Sequence, residues 1–386
     1  MTTQNKIYNE SMTFTTWEQF ELPDDVLRGI YAHGFERPSL IQQRAIYPIL
    51  CGRELIAQAQ SGTGKTGAFT IGSLSRINPE IRGTQILALA PTHELASQTT
   101  TVFNAIGSFI PNFSAKTFVG GTNVRDDINS IDAFPPMVAV GCPGRILDLL
   151  KKRAFSTDHI KAIIIDEADE MLSHGFQEQV RGIFQMLRED VQVLIFSATL
   201  NREVMEITTR FMTDPVKIIM EAEKLSLVGI AQYYVAVRTD EDKFDILKQI
   251  FTKMSITQCI IYCNSIGRVK QLTDAMTRDG FSVCCIHRDL SKQDRESVFK
   301  QFKSGACRFL ISSNITARGI DVQQVNVVVN FDLTRDVHTY LHRIGRSGRW
   351  GRKGKAINFV TPYDMRIKED LENYYRMQIV PLPDNA

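Results

Sequence analysis

A chain of 386 residues with 43% apolar content and a formal net charge of +2 is too long for one ordinary core and predicts two globular domains. No apolar run reaches the roughly 18 residues of a bilayer span, and the opening MTTQNKIYNESM lacks the apolar segment of a secretory signal, so the reading is a soluble intracellular protein without membrane contact. The seven cysteines match no zinc spacing and fall mostly in apolar runs such as CIIYC and VCCIH, the pattern of small buried thiols in a reducing compartment.

Along the chain, strand-like apolar runs alternate with helical stretches, the pattern of α/β domains with parallel sheets. In the first half the strands are expected at ELIAQA, QILALA, MVAVG, AIIID and VLIFSA. The second half offers QYYVAV, CIIYCN, FSVCCIH, RFLISS, VNVVVNF and AINFV. The polar stretch Glu221 to Gly229 is the candidate linker, and the two halves could share one architecture. Charge differs between them, −5 over residues 1–222 and +7 over 223–386, and a basic second half suits a phosphate-rich partner.

Ligands of open parallel sheets bind beyond the carboxyl ends of the strands. Behind ELIAQ comes AQSGTGKT, Ala59 to Thr66, leading into the helical GAFTIGSL. Its Ser61, Gly62, Thr63 and Gly64 let successive backbone N–H groups curl around a phosphate at a helix N-terminus. Lys65 would reach the β and γ phosphates and the Thr66 hydroxyl would ligate Mg²⁺; Ala59 stands where the general pattern has glycine. Behind AIIID come four carboxylates in five residues, Asp166, Glu167, Asp169 and Glu170, which serve either a cation or a solvated helix face. With a phosphate loop nearby, Asp166 would hold the Mg²⁺ and Glu167 would polarise the attacking water.

The strings AQSGTGKT, PTHELA, GG, CPGR, DEAD, SAT, ARGID and HRIGRSGR occur in the order of the DEAD-box RNA helicases and cover nearly the whole chain. LRGIYAHGFERPSLIQQRAI and ARGIDVQQVNVVVNFD resemble the translation initiation factor 4A subgroup, which includes a nuclear exon-junction paralogue. The resemblance implies two RecA-like parallel-sheet domains, residues 1–222 and 223–386, joined by a short linker, with ATP and Mg²⁺ as cofactors. Gln42 would read adenine through its paired donor and acceptor. Phe35 would stack on the base, and Trp17, the upstream aromatic, would either join the nucleotide site or pack the surface. Arg346 and Arg349 would reach the γ-phosphate from the second domain, along one side of a helix that also carries Arg343. Asp321 would contact the ribose or couple the domains; Asp169, Ser197, Thr199 and His342 would couple them as well, Asp169 toward HRIGRSGR.

The resemblance also implies a groove that grips the RNA backbone without reading bases. Its residues would be Pro91, Thr92, His93, Gly120, Gly121, Pro143, Gly144 and Arg145 in the first domain. The second would add Arg288, Asp289 and Ser313. The chain departs from the family here: His93 replaces arginine, Cys142 threonine, Arg288 glycine, and Ser313-Asn314 stands for Thr-Asp, while Lys292 stands where glutamine is common. The implied protein is an ATP-dependent RNA helicase of translation initiation or an ATP-locked RNA clamp, monomeric alone, cytoplasmic or nuclear. Short flanks imply that regulatory or scaffold partners, not appended domains, supply targeting.

Overall fold

The computed structural model describes residues 14–59, 62–173, 175–220, 230–254, 256–313, 324–347 and 354–383. The chain divides into two compact units, 1–220 and 221–386; the candidate linker, 221–229, lies outside the described residues.

The first unit is built on strands β1 (Leu55–Gln58), β2 (Ile86–Leu89), β3 (Ala115–Phe118), β4 (Val138–Gly141), β5 (Ala162–Asp166), β6 (Gln192–Ser197) and β7 (Val216–Ile219). They form one sheet in the order β3-β4-β2-β5-β6-β1-β7, parallel at every pairing. Apolar β-branched runs suit this because both faces are covered. Successive side chains alternate: Leu55, Ala57, Ile86, Ala88, Ile164, Leu194 and Phe196 pack on one face. Ile56, Leu87, Leu89, Ile163, Ile165, Val193 and Ile195 pack on the other.

The second unit repeats the plan. Its strands are β8 (Ile230–Ala236), β9 (Gln258–Tyr262), β10 (Val283–Ile286), β11 (Phe309–Ser312), β12 (Val325–Asn330), β13 (Gly354–Val360) and β14 (Val380–Pro381). Their order, β10-β11-β9-β12-β13-β8-β14, is the first unit's order advanced by seven in every place. The two units therefore share one RecA-like topology, and the eleven strands expected from sequence all form. β3, β7 and β14 were not expected. All three are sheet edges; VKII is covered on one side only, AKTF buries just its two end residues, one on each face, and β14 is two exposed residues.

Five of the seven cysteines are buried and all seven are free thiols, and burial pushes the Cys142 thiol up to about 12. Among the described residues no helix is long and apolar enough to cross a membrane.

One arginine lies wholly inside the second unit. Arg343 has no exposed surface, sits over the Tyr262 ring at 5.2 Å and donates to Asn330 Oδ1 (3.2 Å), Asp332 O (2.8 Å) and Asn264 Oδ1 (2.8 Å). Burial lowers its pKa to about 10. Arg343→Met keeps the volume but leaves buried acceptors unpaired, at about 1 to 3 kcal/mol each. A lowered urea midpoint for the second unit, without change in the first, is the expected outcome; an unchanged midpoint would show that the acceptors find other donors.

Candidate nucleotide and nucleic-acid site

In the first unit the strand register sets the stage. Ala57, Phe196 and Asp166 are level across β1, β6 and β5, and Leu89, Gly141 and Phe118 across β2, β4 and β3. Neighbouring strands lie about 5 Å apart, so the loops leaving these six strands open side by side along one sheet edge. The loops after β1, β5 and β6 carry AQSGTGKT, DEAD and SAT; those after β2, β3 and β4 carry PTHELA, GG and CPGR.

The loop after β1 turns through Gly62 (φ 85°) and Gly64 (φ 101°). Gly64 caps the helix Lys65–Leu74. A side chain at Gly64 would place its Cβ 2.7 Å from Ser39 Oγ, and one at Gly67 would come within 2.5 Å of Gln42 Nε2 and 3.0 Å of Phe35. Gln42 and Phe35 thus lie directly on the phosphate loop and its helix. Gln42 accepts Ser39 N–H at Oε1 (2.7 Å) and donates from Nε2 to Gly64 O (3.2 Å), which leaves one amide hydrogen and one lone pair for a base edge. The first of these bonds is half of a capping box on the helix Leu40–Leu50, so the spacing of Ser39 and Gln42 also serves the helix start.

Trp17 requires a correction. Its ring has no exposed surface, so it cannot touch a ligand here. It donates from Nε1 to Phe35 O at 3.0 Å and lies near-parallel to the Phe35 ring, centroids 6.4 Å apart. Trp17 thus backs Phe35, whose ring is half-buried.

Lys65 Nζ lies 3.4 Å from Glu167 Oε1, both side chains 5% exposed. Asp166 is 3% exposed and accepts Glu167 N–H at 3.0 Å. Burial pushes the Asp166 carboxyl up; Lys65 pulls it down and Glu167 pushes it up again, leaving it at about 7. A divalent cation would favour the ionised form. Among the described residues no three His, Cys, Asp or Glu side chains group as a self-sufficient metal site. A site of Asp166, Thr66 and phosphate oxygens is what Mg²⁺ accepts, so the donor set fits that ion. Glu167 has φ 51°, a left-handed conformation unusual for a glutamate, at the point where β5 turns into the helix Ala168–Ser173.

Asp169 is bonded to the loop after the neighbouring strand of the first unit. Its Oδ2 accepts Thr199 N–H (3.1 Å) and Thr199 Oγ1–H (2.9 Å), and its own N–H donates to Ser197 Oγ (3.1 Å). Ser197 Oγ donates to Thr199 O at 2.7 Å. DEAD and SAT are one hydrogen-bonded unit across β5 and β6.

On the other half of the edge, Thr92 Oγ1 caps the helix His93–Ile106 by accepting Leu95 N–H at 3.2 Å. Pro91 is buried, and Thr92 and His93 are half-buried. A Cβ on Gly120 would lie 3.8 Å from His93 Nε2; Gly121 has φ 79°. Cys142 caps the helix Pro143–Lys151 without a side-chain bond, so the hydroxyl that threonine would supply is missing. Arg145 is 8% exposed and donates to Thr122 Oγ1 (2.9 Å) and Thr122 O (2.6 Å), with Asp127 as its ion-pair partner. Its expected contact with RNA is therefore corrected: it shapes the loop after β3. Thr122 and Asp127 went unmarked in the sequence because nothing in their spacing announces them.

The second unit places its expected residues at the equivalent strands. Arg288 and Asp289 follow β10, are 77% and 55% exposed, and approach to 3.7 Å. Half-buried Ser313 follows β11. The helix Val337–Ile344 stops before Arg346, so the arginines do not run down one helical side as expected. Arg346 lies in the following turn, its Nε donating to His342 O at 3.2 Å; His342 and Arg346 are both buried. Ser61, Asn314, Asp321 and Arg349 lie outside the described residues.

Residues 39–207 match the family described as DEAD/DEAH box helicase, and residues 242–351 match the helicase conserved C-terminal domain. ATP-dependent RNA helicase eIF4A of Neosartorya fischeri is 49% identical over 371 residues, 96% of this chain and 93% of that protein. The chain belongs to the DEAD/DEAH box helicase family. A second helicase of the same name, from Neurospora crassa, is 47% identical over 378 residues, covering 98% of this chain and 95% of its own. Among solved structures, S. cerevisiae Dbp5 bound to RNA and ADP BeF3 matches with a TM-score of 0.87 at 33% identity, covering 96% of each chain.

The vacant cap gives this helicase a simple test. Restoring the hydroxyl with Cys142→Thr should stabilise the first unit by about 0.5 to 2 kcal/mol, the usual range for a helix N-cap. A higher denaturation midpoint is the expected result, and no rise would mean that the helix end is satisfied in some other way.

Proposed function

We propose that the chain is an RNA-dependent ATPase and RNA helicase of the initiation factor 4A kind, acting in translation initiation and hence in the cytoplasm. One observation carries the reading: a phosphate loop with buried acids and three backbone-binding loops open along the same edge of one sheet. The whole-length relatives named eIF4A support the pathway.

In this reading Gln42 and Phe35 orient the base, with Trp17 behind Phe35. Lys65 and the amides of the glycine turn bind phosphate. Thr66 and Asp166 hold Mg²⁺, which neutralises phosphate charge when bound. Glu167, fixed by Lys65 and by its backbone conformation, takes the proton of the attacking water. Arg346 and Arg349 stabilise the charge developing at the γ-phosphate, and Asp321 contacts the ribose. The Ser197–Thr199 and Asp169 unit transmits the state of the acids to the loops beside it. RNA lies with its backbone along Thr92, His93, Gly120, Gly121, Pro143, Gly144, Arg288, Asp289 and Ser313. Closure of the two domains on both ligands would hold one strand bent, so that a short duplex opens locally. Regulatory or scaffold proteins would direct it to a transcript.

ATPase rates with and without single-stranded RNA and DNA, beside unwinding of a short RNA duplex, test this. RNA should stimulate hydrolysis and DNA should not, and the duplex should open only with ATP. Stimulated hydrolysis without unwinding would convert the reading to an ATP-locked clamp, and indifference to RNA would defeat both. Glu167→Gln should lower kcat by about 10² to 10⁴ while RNA binding in the presence of ATP survives.

The change at position 93 allows a second measurement. His93→Arg should tighten single-stranded RNA binding and steepen the slope of log affinity against log salt by about 0.7, the mark of one added phosphate contact on a single strand. An unchanged slope in anisotropy titrations would show that the side chain faces no phosphate.

A further inference from the structure

Inside the second unit the buried polar groups form one path. Tyr340 OH donates to Gln232 Oε1 (2.8 Å), and Asn358 Nδ2 donates to the same hydroxyl (3.2 Å). Asn330 Nδ2 donates to Asn358 Oδ1 (2.8 Å), and Arg343 Nη1 donates to Asn330 Oδ1 (3.2 Å). Arg343 then reaches Asp332 O and Asn264 Oδ1. The path ends on the Asp332 carboxylate, which faces Lys243 Nζ at 3.2 Å and Arg268 Nε at 2.8 Å and accepts Asn264 N–H at 3.0 Å.

Asn264 is the one member that is itself exposed, and it is held on three sides. Its N–H is on Asp332, its Oδ1 on Arg343, and its Nδ2 on Leu333 O at 2.9 Å. An exposed amide gains little net stability from such bonds, since water would serve it; the arrangement fixes direction. Two things follow its position. Ser265, the next residue, caps the helix Ile266–Arg278 by accepting Arg268 N–H at 3.2 Å. On the other side, Arg343 O accepts Arg346 N–H at 3.2 Å, and the neighbouring His342 O accepts Arg346 Nε–H. The loop after β9 and the turn carrying Arg346 are thus built on the same bonds. That loop leaves the strand equivalent to β2 of the first unit, whose loop carries PTHELA.

We infer that Asn264 is a positioning residue that fixes the loop after β9 against Arg343, so that the placement of a nucleic-acid backbone on that loop sets the placement of Arg346. The inference rests on the proposed RNA-dependent ATPase. Neighbouring elements joined by a fully satisfied polar network move together, since a partial shift strands buried donors and acceptors.

The test uses the full chain and compares kcat at saturating single-stranded RNA with kcat without RNA. In Asn264→Ala this ratio should fall about tenfold, within the usual range of coupling between sites, while the KM for RNA holds. Asn264→Asp keeps an acceptor for Arg343 and should restore most of the ratio. Tyr340→Phe, which cuts the far end of the same path, should lower the melting temperature and leave the ratio intact. A raised KM for RNA with undiminished maximal stimulation would overturn the inference in favour of direct contact. An equal loss in Tyr340→Phe would overturn it in favour of general destabilisation. A wild-type chain that RNA does not stimulate would instead sink the function itself, and this inference with it.

Discussion

Negative charge buried at the carboxyl end of β5 is the constraint around which the first unit is arranged. Asp166, Glu167 and Asp169 are each no more than 4% exposed, and an isolated buried carboxylate costs several kcal/mol. The fold answers in two ways. Asp169 is met by neutral donors from Thr199, which ties it to β6. Glu167 is met by the Lys65 ammonium, reaching across from the end of β1, and Asp166, lying close behind, is left at about 7. Three carboxylates are thus buried at one strand end beside Lys65. A divalent cation bound there would favour the ionised form of Asp166.

Lys65 can reach across only because the chain before it turns tightly. Gly64 and Gly67 let Gln42 and Phe35 pack onto the loop at distances no side chain would permit, and Trp17 then fixes Phe35 from behind. Gln42, Phe35, the glycine turn and the acids are therefore one packed object. The second unit repeats the strand order but uses the ground differently. Where the first buries acids beside a lysine, the second buries an arginine among asparagines. The shared topology explains where each unit keeps its chemistry, at the carboxyl edge, and leaves the kind of chemistry to side chains.

The sequence was legible wherever function and fold demanded the same residues. Central strands read clearly because burial on both faces leaves an unbroken apolar run, and the phosphate loop read clearly because glycine, lysine and threonine are needed in fixed order. Edge strands did not, since VKII needs only one covered face and AKTF, with a half-buried polar centre, resembles a loop in composition. Roles that depend on which way a side chain turns were misassigned: Arg145 looks like a surface cation and Trp17 like a ligand platform until their burial is known. The spacing of Arg343 and Arg346 suggested one helical side, but the helix ends between them at Ile344. Thr122, Asp127, Asn264 and Asp332 gave no signal, because their work is done for neighbours distant in sequence.

The departures from the family pattern can now be separated by what each one touches. Cys142 removes a helix cap, a loss of about 1 kcal/mol borne by the first turn after β4. The same helix also carries Arg145, whose part-buried bonds to Thr122 and ion pair with Asp127 tie it to the loop after β3. Cys142, its thiol held protonated by burial, adds no chemistry of its own. His93 is different, because it lies half-buried against Gly120 on the open edge where no other cation takes its place in the first unit's three loops; Arg145, the nearest candidate, is committed inward. Arg288 and Asp289, both well exposed, put their charge at the corresponding edge of the second unit. The departures thus lie on loops away from the acids and the glycine turn, where Lys65, Asp166 and Glu167 are buried together.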